Sequence, residues 1–291
     1  MTDNTNGQPA AEEDFKAEDW AGEMGARWLA NLASFENTIA PVGDALLAHA
    51  GFCAGETVID LGFGGGATSL AIARAVAPTG KVLGIDISPE LVAATTRRAA
   101  QAGIANAHFL CADAATVEIA GERYDRLCSR FGSMFFAQPV AAFANLRGLL
   151  KPGGRIDLAV WAAPRENLWM TGAMLVARNH VDMPAPEPRA PGPFAFEDTD
   201  YMQEVLGGAG FSNIAVEPLS GLLPVGGPGA TPAMAQQFAM NAMAFGKLLA
   251  EAPPAVQGQA AMELTELYAR HHQPGAGVMM GYKVWLVSAQ A

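Results

Sequence analysis

Three aspartates, each at or near the end of a short apolar run, and one knot of glycines carry the chemistry of this sequence. Val58-Ile59-Asp60-Leu61-Gly62-Phe63-Gly64-Gly65-Gly66-Ala67-Thr68 runs from an apolar strand through an acid into a turn and then a helix. Gly62, Gly64 and Gly66 have no Cβ, so the chain can reverse sharply and a ligand can approach the main chain. The helix predicted from Thr68 to about Ala77 aims its unpaired N–H groups at the same spot. A turn of this kind receives a nucleotide-like cofactor.

Two readings of the turn compete. Gly62-x-Gly64-x-x-Ala67 satisfies the fingerprint of dinucleotide dehydrogenases, in which a helix N-terminus receives a pyrophosphate. Asp60-x-Gly62-x-Gly64-x-Gly66 equally fits the acid-then-glycines pattern that binds S-adenosylmethionine (SAM). Lys81-Val82-Leu83-Gly84-Ile85-Asp86 places a second acid at a strand end about 20 residues on, where a carboxylate can accept both ribose hydroxyls. Both readings want that residue. His108-Phe109-Leu110-Cys111-Ala112-Asp113-Ala114 supplies a third acid, placed to accept a hydrogen bond from an adenine amine, for which a dehydrogenase has no general need. Tyr124 to Arg130 then leads to a helix from Pro139 to Leu150, a Lys151-Pro152-Gly153-Gly154 turn, and a strand from Ile156 to Trp161.

In this order, with Arg130-Phe131-Gly132 after the fourth strand, the segments resemble the class I SAM-dependent methyltransferases, closely from Val42 to Trp161 and loosely beyond. Within them the chain looks most like the small-molecule branch related to ubiquinone and menaquinone biosynthesis methyltransferases. The resemblance implies an α/β, Rossmann-like fold: a seven-stranded, mostly parallel sheet of order 3-2-1-4-5-7-6, the last strand antiparallel, with helices on both faces. It implies SAM as cofactor and S-adenosylhomocysteine (SAH) as product; no His/Asp/Glu cluster has the spacing of a metal site, so no metal is expected. Asp86 would hold the ribose, Asp113 and Ala114 the adenine, and the Asp60–Gly66 loop the methionyl portion. Leu91 would pack on the adenine or serve as a core leucine; Ile87, Ser129 and Trp28 complete the cofactor set. Phe63 departs from the pattern, since many relatives have a small residue or Cys there, and its ring is expected to repack the loop or trim the methionine pocket.

The elements that must position these residues follow from pattern. Strands and helices alternate from Glu56 to Trp161, as a parallel sheet covered on both faces requires. Before it, Trp20 to Ala50 reads as two or three helical segments broken at Pro41, forming a flap over the cofactor. Residues 1–19 read as a flexible polar tail without a signal peptide's order. The core spans residues 51–221 and contains a proline-rich loop at 183–193. Within it, Thr199 to Gly208 is a predicted helix and Phe211 to Leu219 the sixth strand. Residues 222–277, too long for a hairpin, hold predicted helices at Met234–Leu249 and Ala255–His271 that either cap the substrate pocket or pack on the sheet edge or a second subunit. Residues 278–291 carry the last strand.

Composition bounds the function. The chain has 291 residues, 51% hydrophobic, enough for a large core. A net charge of −11 with only 18 Lys and Arg argues against nucleic acid. No apolar run has the length of a membrane span. Cys53, Cys111 and Cys128 are too scattered for a disulfide framework or a thiolate metal site, which fits a cytoplasmic setting.

The predicted function is methyl transfer from SAM to a small, partly apolar or aromatic metabolite, with homodimerisation left open. Phe131 and Trp161, near the carboxyl ends of the fourth and fifth strands, together with Trp169 and Trp20, are substrate-wall candidates, or core residues. His180, His271 and His272 are candidates for a base, and none is assigned. An NAD-dependent oxidoreductase and a non-catalytic SAM-binding protein stand as alternatives.

Overall fold

The computed structural model describes residues 20–185 and 187–291; the predicted tail over 1–19, and Pro186 of the proline-rich loop, lie outside them. The described residues begin with helices α1 (Glu23–Ala30) and α2 (Leu32–Ala50). Strands β1 (Thr57–Leu61), β2 (Lys81–Asp86), β3 (Ala107–Cys111), β4 (Tyr124–Arg130) and β5 (Leu150–Trp161) then alternate with helices α3 (Ala67–Val76), α4 (Pro89–Gln101) and α5 (Pro139–Gly148). Helices α6 (Leu168–Arg178) and α7 (Thr199–Gly208) precede strand β6 (Ser212–Pro224). Three helices follow, α8 (Pro232–Ala242), α9 (Ala244–Glu251) and α10 (Pro254–Arg270), then the two-residue β7 (His272–Gln273) and the long β8 (Gly277–Gln290).

The main sheet has the order β3-β2-β1-β4-β5-β8-β6, with β7 pairing only with β8. β1 to β5 pair in parallel, and β8 runs antiparallel between β5 and β6. With β8 as the seventh long strand, this is the predicted order. In β5, Ile156 to Trp161 are all buried, and the same burial covers most of β1 and β4. Near-continuous burial is what a strand covered on both faces requires, and it explains the apolar runs of the sequence.

Local chemistry starts the helices. Ser88 caps α4 by accepting from the Leu91 N–H at 3.3 Å, with Pro89 in the first turn, and Thr231 caps α8 in the same way ahead of Pro232. One predicted break is absent. Pro41 lies inside a continuous α2, because the buried stripe Phe35, Thr38, Ile39, Val42 and Leu46 packs along the helix on both sides of it. Packing outweighs the one main-chain hydrogen bond that proline cannot donate. A break falls instead at Met243, whose extended backbone (φ −84°, ψ 150°) divides the predicted helix at Met234–Leu249 into α8 and α9. The Pro152-Gly153-Gly154 turn also differs: it bulges within β5, since Leu150 already pairs with Tyr124 before the register shifts. β6 runs five residues past Leu219, to Pro224, along the 14-residue β8. Among the described residues, no helix is long and apolar enough to cross a membrane.

Candidate cofactor and substrate site

The glycine turn joins β1 to α3 at the carboxyl edge of the parallel strands, where open α/β sheets bind ligands. Gly62, Gly64 and Gly66 have φ of 62°, 56° and 81°, a left-handed backbone that glycine adopts without strain. Space is as restrictive as conformation: a Cβ on Gly62 would lie 2.7 Å from Gly132 Cα, and one on Gly66 would overlap the Thr95 methyl. Phe63 between them is 2% exposed and packs on Phe109 over Gly84, with ring centroids 5.0 Å apart. Its ring is thus absorbed in the core of the sheet, where the missing side chain of Gly84 makes room.

Two of the acids fix this turn. Asp86 at the end of β2 accepts from the Gly64 N–H at 2.9 Å and from the Ser88 N–H at 3.0 Å, one on each oxygen. Burial raises its pKa, and the main-chain donors work against that rise. Asp60, 1% exposed on β1, accepts from Ser69 Oγ at 2.5 Å through Oδ2, while its buried Oδ1 has no partner. Burial lifts its pKa from 3.8 to about 7, against the Ser69 hydrogen bond and the attraction of Arg130. A buried carboxylate with an open oxygen is complementary to a cationic group.

Two aromatic groups border the turn. On one side, Trp28 stacks on Phe35 at 4.0 Å and lies edge-on to Trp20 at 5.9 Å; Trp20 meets Phe135 at 5.1 Å, and Phe35 meets Phe238 of α8 at 5.1 Å. Trp28 Nε1 would touch a Cβ on Gly64 at 3.3 Å, so α1 lies directly over the turn. The indole N–H groups of Trp20 and Trp28 are buried without acceptors. On the other side, Phe131 stacks on Trp161 at 4.0 Å and Trp161 meets Trp169 at 5.1 Å. Phe131 holds a φ of 66°, unusual for a bulky residue, immediately before the Gly132 that packs on Gly62.

Residues 58–154 match the family described as a methyltransferase domain. That stretch, about a third of the chain, is similar to the methyltransferase domain. It is 34% identical over 126 residues to an uncharacterised protein of Mycobacterium tuberculosis, covering 43% of this chain and 44% of that one. It is 33% identical over 136 residues to nocamycin O-methyltransferase of Saccharothrix syringae, covering 46% and 48%. It is 29% identical over 119 residues to a ubiquinone/menaquinone biosynthesis C-methyltransferase of Pseudomonas putida, covering 40% and 46%. The match thus spans less than half of each of these relatives' length. Among solved structures, phosphoethanolamine N-methyltransferase 2 of Haemonchus contortus with bound S-adenosyl-L-methionine shares the fold at a TM-score of 0.59 and 15% identity, over 97% of this chain and 61% of that one. These matches support SAM as the cofactor and favour that reading of the glycines over the dehydrogenase one.

The structure gathers Asp60, Gly62, Gly64, Gly66 and Asp86 around one turn, with Trp28 over it and Ser129 beneath, its Oγ donating to the Leu61 carbonyl at 2.9 Å. Ile87 follows Asp86 half-buried, and Leu91 is wholly buried in the first turn of α4. Asp113 stands exposed after β3, accepting from the Ala115 N–H at 2.9 Å, beside a buried Ala114 whose carbonyl accepts from Asn145. Phe131, Trp161 and Trp169 form one cluster, from which Trp20 is separate. The histidines do not converge on the site: His180 is held by Glu263 of α10 at 3.0 Å, and His271 and His272 lie at the end of α10 and in β7. Among the described residues, no group of three His, Cys, Asp or Glu is placed to hold a metal.

Several members of the site escape motif reading. Thr95 Oγ1 donates to the Gly64 carbonyl at 3.1 Å, and Arg98 donates to the Gly65 carbonyl at 2.8 Å while pairing with Glu36 of α2 at 2.7 Å. Thr95 and Arg98 lie three residues apart on α4, on neighbouring positions of one helix face. That spacing is visible in sequence, but which face meets the glycine turn is set by the sheet.

Proposed function

We propose that this chain transfers the methyl group of SAM to a small, aromatic or partly apolar metabolite. The observation that carries this reading is the junction of Gly62 with Gly132, which sets the cofactor turn directly beside the Phe131, Trp161 and Trp169 wall. The residues fit the cofactor: Asp86 for the ribose hydroxyls, Asp113 and Ala114 for the adenine, and the glycine turn with the open Oδ1 of Asp60 for the methionyl end. Ile87, Leu91, Ser129 and Trp28 shape the walls. When bound, SAM supplies an electrophilic methyl on a sulfonium.

The chain's own work is alignment and exclusion of water. Phe131, Trp161 and Trp169 are 9%, 4% and 2% exposed, so their packed rings back the wall of the acceptor site from the core, and Trp20 and Trp28 cover the turn. Alignment alone supplies several kcal/mol of barrier reduction, on the order of what well-oriented intramolecular reactions gain. The helices of residues 222–277 act as a cap, a role supported by Phe238 of α8 meeting Phe35 beside Trp28. A base is needed only for an acceptor that must lose a proton, such as a hydroxyl, and His180 is already engaged with Glu263. A reducing cytoplasm suits Cys53, Cys111 and Cys128, which are all free thiols.

The test is calorimetry with SAM, SAH and NADH in parallel, followed by transfer of a labelled methyl group to quinones, phenols and amines. Binding of both adenosyl ligands and a labelled product are expected. Binding of NADH alone would overturn the reading, and SAM binding with no product across the three acceptor classes would favour a non-catalytic SAM-binding protein.

A further inference from the structure

Helix α1 lies across the acid assigned to the ribose. Its Gly25 and Trp28 stand three residues apart on one face, and Leu32, the first residue of α2, continues that face. A Cβ on Gly25 would stand 2.7 Å from Ser88 Oγ, and one on Gly64 would stand 3.3 Å from Trp28 Nε1. One on Gly65 would overlap Leu32. Ser88 and Gly64 are the two residues whose N–H groups Asp86 accepts. α1 therefore covers both sides of Asp86, and Gly25 is the residue that lets the helix come so close.

The cover is lightly held. Gly25 is the one buried residue among the eight of α1, whereas α2 buries seven, from Phe35 to Ala50. A helix of eight residues has little stability of its own, and no side chain caps its N-terminus at Gly22. At the other end a single residue, Asn31 (φ −114°, ψ 18°), separates α1 from α2. Rotation about that residue moves α1 and leaves the buried stripe of α2 in place.

Opposed contributions set the position of α1. Trp28 stacks on Phe35, Trp20 lies against Phe135, and at the exposed rim Glu23 pairs with Lys247 of α9 at 2.9 Å. Such an exposed pair contributes little and is screened by salt. Against these contacts, the indole N–H groups of Trp20 and Trp28 are buried without acceptors among the described residues, a desolvation cost that opening to water removes.

We infer that α1 is a lid hinged at Asn31 and standing closed, with the Glu23–Lys247 pair as its clasp to the cap, so that an adenosyl ligand reaches Asp86 only after the lid opens. The identity of that ligand rests on the SAM-dependent reading; the hinge rests on the contacts of α1 alone.

Hydrogen exchange on the full chain tests the hinge without ligand. A detached helix of this length does not keep its hydrogen bonds, so the amides of Ala26 to Ala30 are expected to exchange at least about tenfold faster than those of Ile39 to Leu46 in α2. Stopped-flow mixing with SAH, followed by tryptophan emission, tests the control of entry. Lys247→Gln removes the clasp and leaves Glu23 with Arg27, its partner at 2.7 Å; Glu23→Gln removes both contacts. Each should speed SAH association about two- to fivefold, the range of one exposed ion pair, and added salt should speed the wild type but neither variant. Circular dichroism melts establish that the variants are folded. Equal protection of the two helices, or unchanged association rates in the folded variants, overturns the lid. So does faster dissociation at an unchanged association rate, because the clasp then closes only on bound ligand. Wild-type protein that binds neither SAM nor SAH overturns the SAM reading instead, and the exchange result still decides the hinge.

Discussion

Asp60 makes folding stability depend on pH in a direction opposite to that of an ordinary paired carboxylate. Its pKa rises from 3.8 to about 7 on folding, chiefly through burial. Between these values the folded state holds a proton that the unfolded state has released, so the stabilisation is complete below about pH 4 and is lost as pH rises to about 7. At about 1.4 kcal/mol per pH unit, the full interval amounts to about 4 kcal/mol, and the stretch from about pH 5 to pH 7 to about 3 kcal/mol. Asp60→Asn removes the titration while keeping a side-chain oxygen for Ser69. Urea denaturation of both proteins across this range isolates the residue from all other carboxylates. The wild type is expected to lose about 3 kcal/mol relative to the variant between about pH 5 and pH 7, and nothing further above about pH 8. Parallel curves for the two proteins would refute the reasoning.

Asp86→Ala removes the acceptor of the Gly64 and Ser88 N–H groups and the group assigned to the ribose; SAH binding is expected to be lost by calorimetry with the circular dichroism spectrum retained. Gly62→Ala places a Cβ 2.7 Å from Gly132 Cα at a φ of 62°, and a cost of about 2 to 4 kcal/mol in denaturant unfolding should follow. Asp157, fully buried, pairs with Arg126 and with Arg155, each at 2.6 Å. Asp157→Ala should cost about 3 to 5 kcal/mol by the same measurement, since it strands the largely buried guanidinium of Arg126.

The sheet was legible because its strands speak twice, once through continuous burial and once through the acids and glycines at their ends. β1, β2 and β3 each place Asp60, Asp86 or Asp113 at or just beyond the carboxyl edge, and parallel pairing then brings the three to one side of the sheet without further information. Helix interruptions were read less well. A proline marks a local cost of about 3 kcal/mol in a helix interior, but the sequence does not display the packed stripe from Phe35 to Leu46 that outweighs it. At Met243 the reverse holds, since nothing in a run rich in Ala and Met announces an extended residue.

For the site, motifs located what touches the main chain and missed what touches across elements. The glycines and Asp86 belong to local patterns with fixed spacing. Arg98 and Thr95 reach the turn from a neighbouring helix, and Arg130 comes to stand beside Asp60 only once β4 pairs with β1. Gly43 is the sharper case. As a residue it reads as a weak point in α2, and only the position of the Arg130 guanidinium turns it into an opening. The place of that guanidinium arises from three segments, α2, β1 and β4, none of which shows it alone.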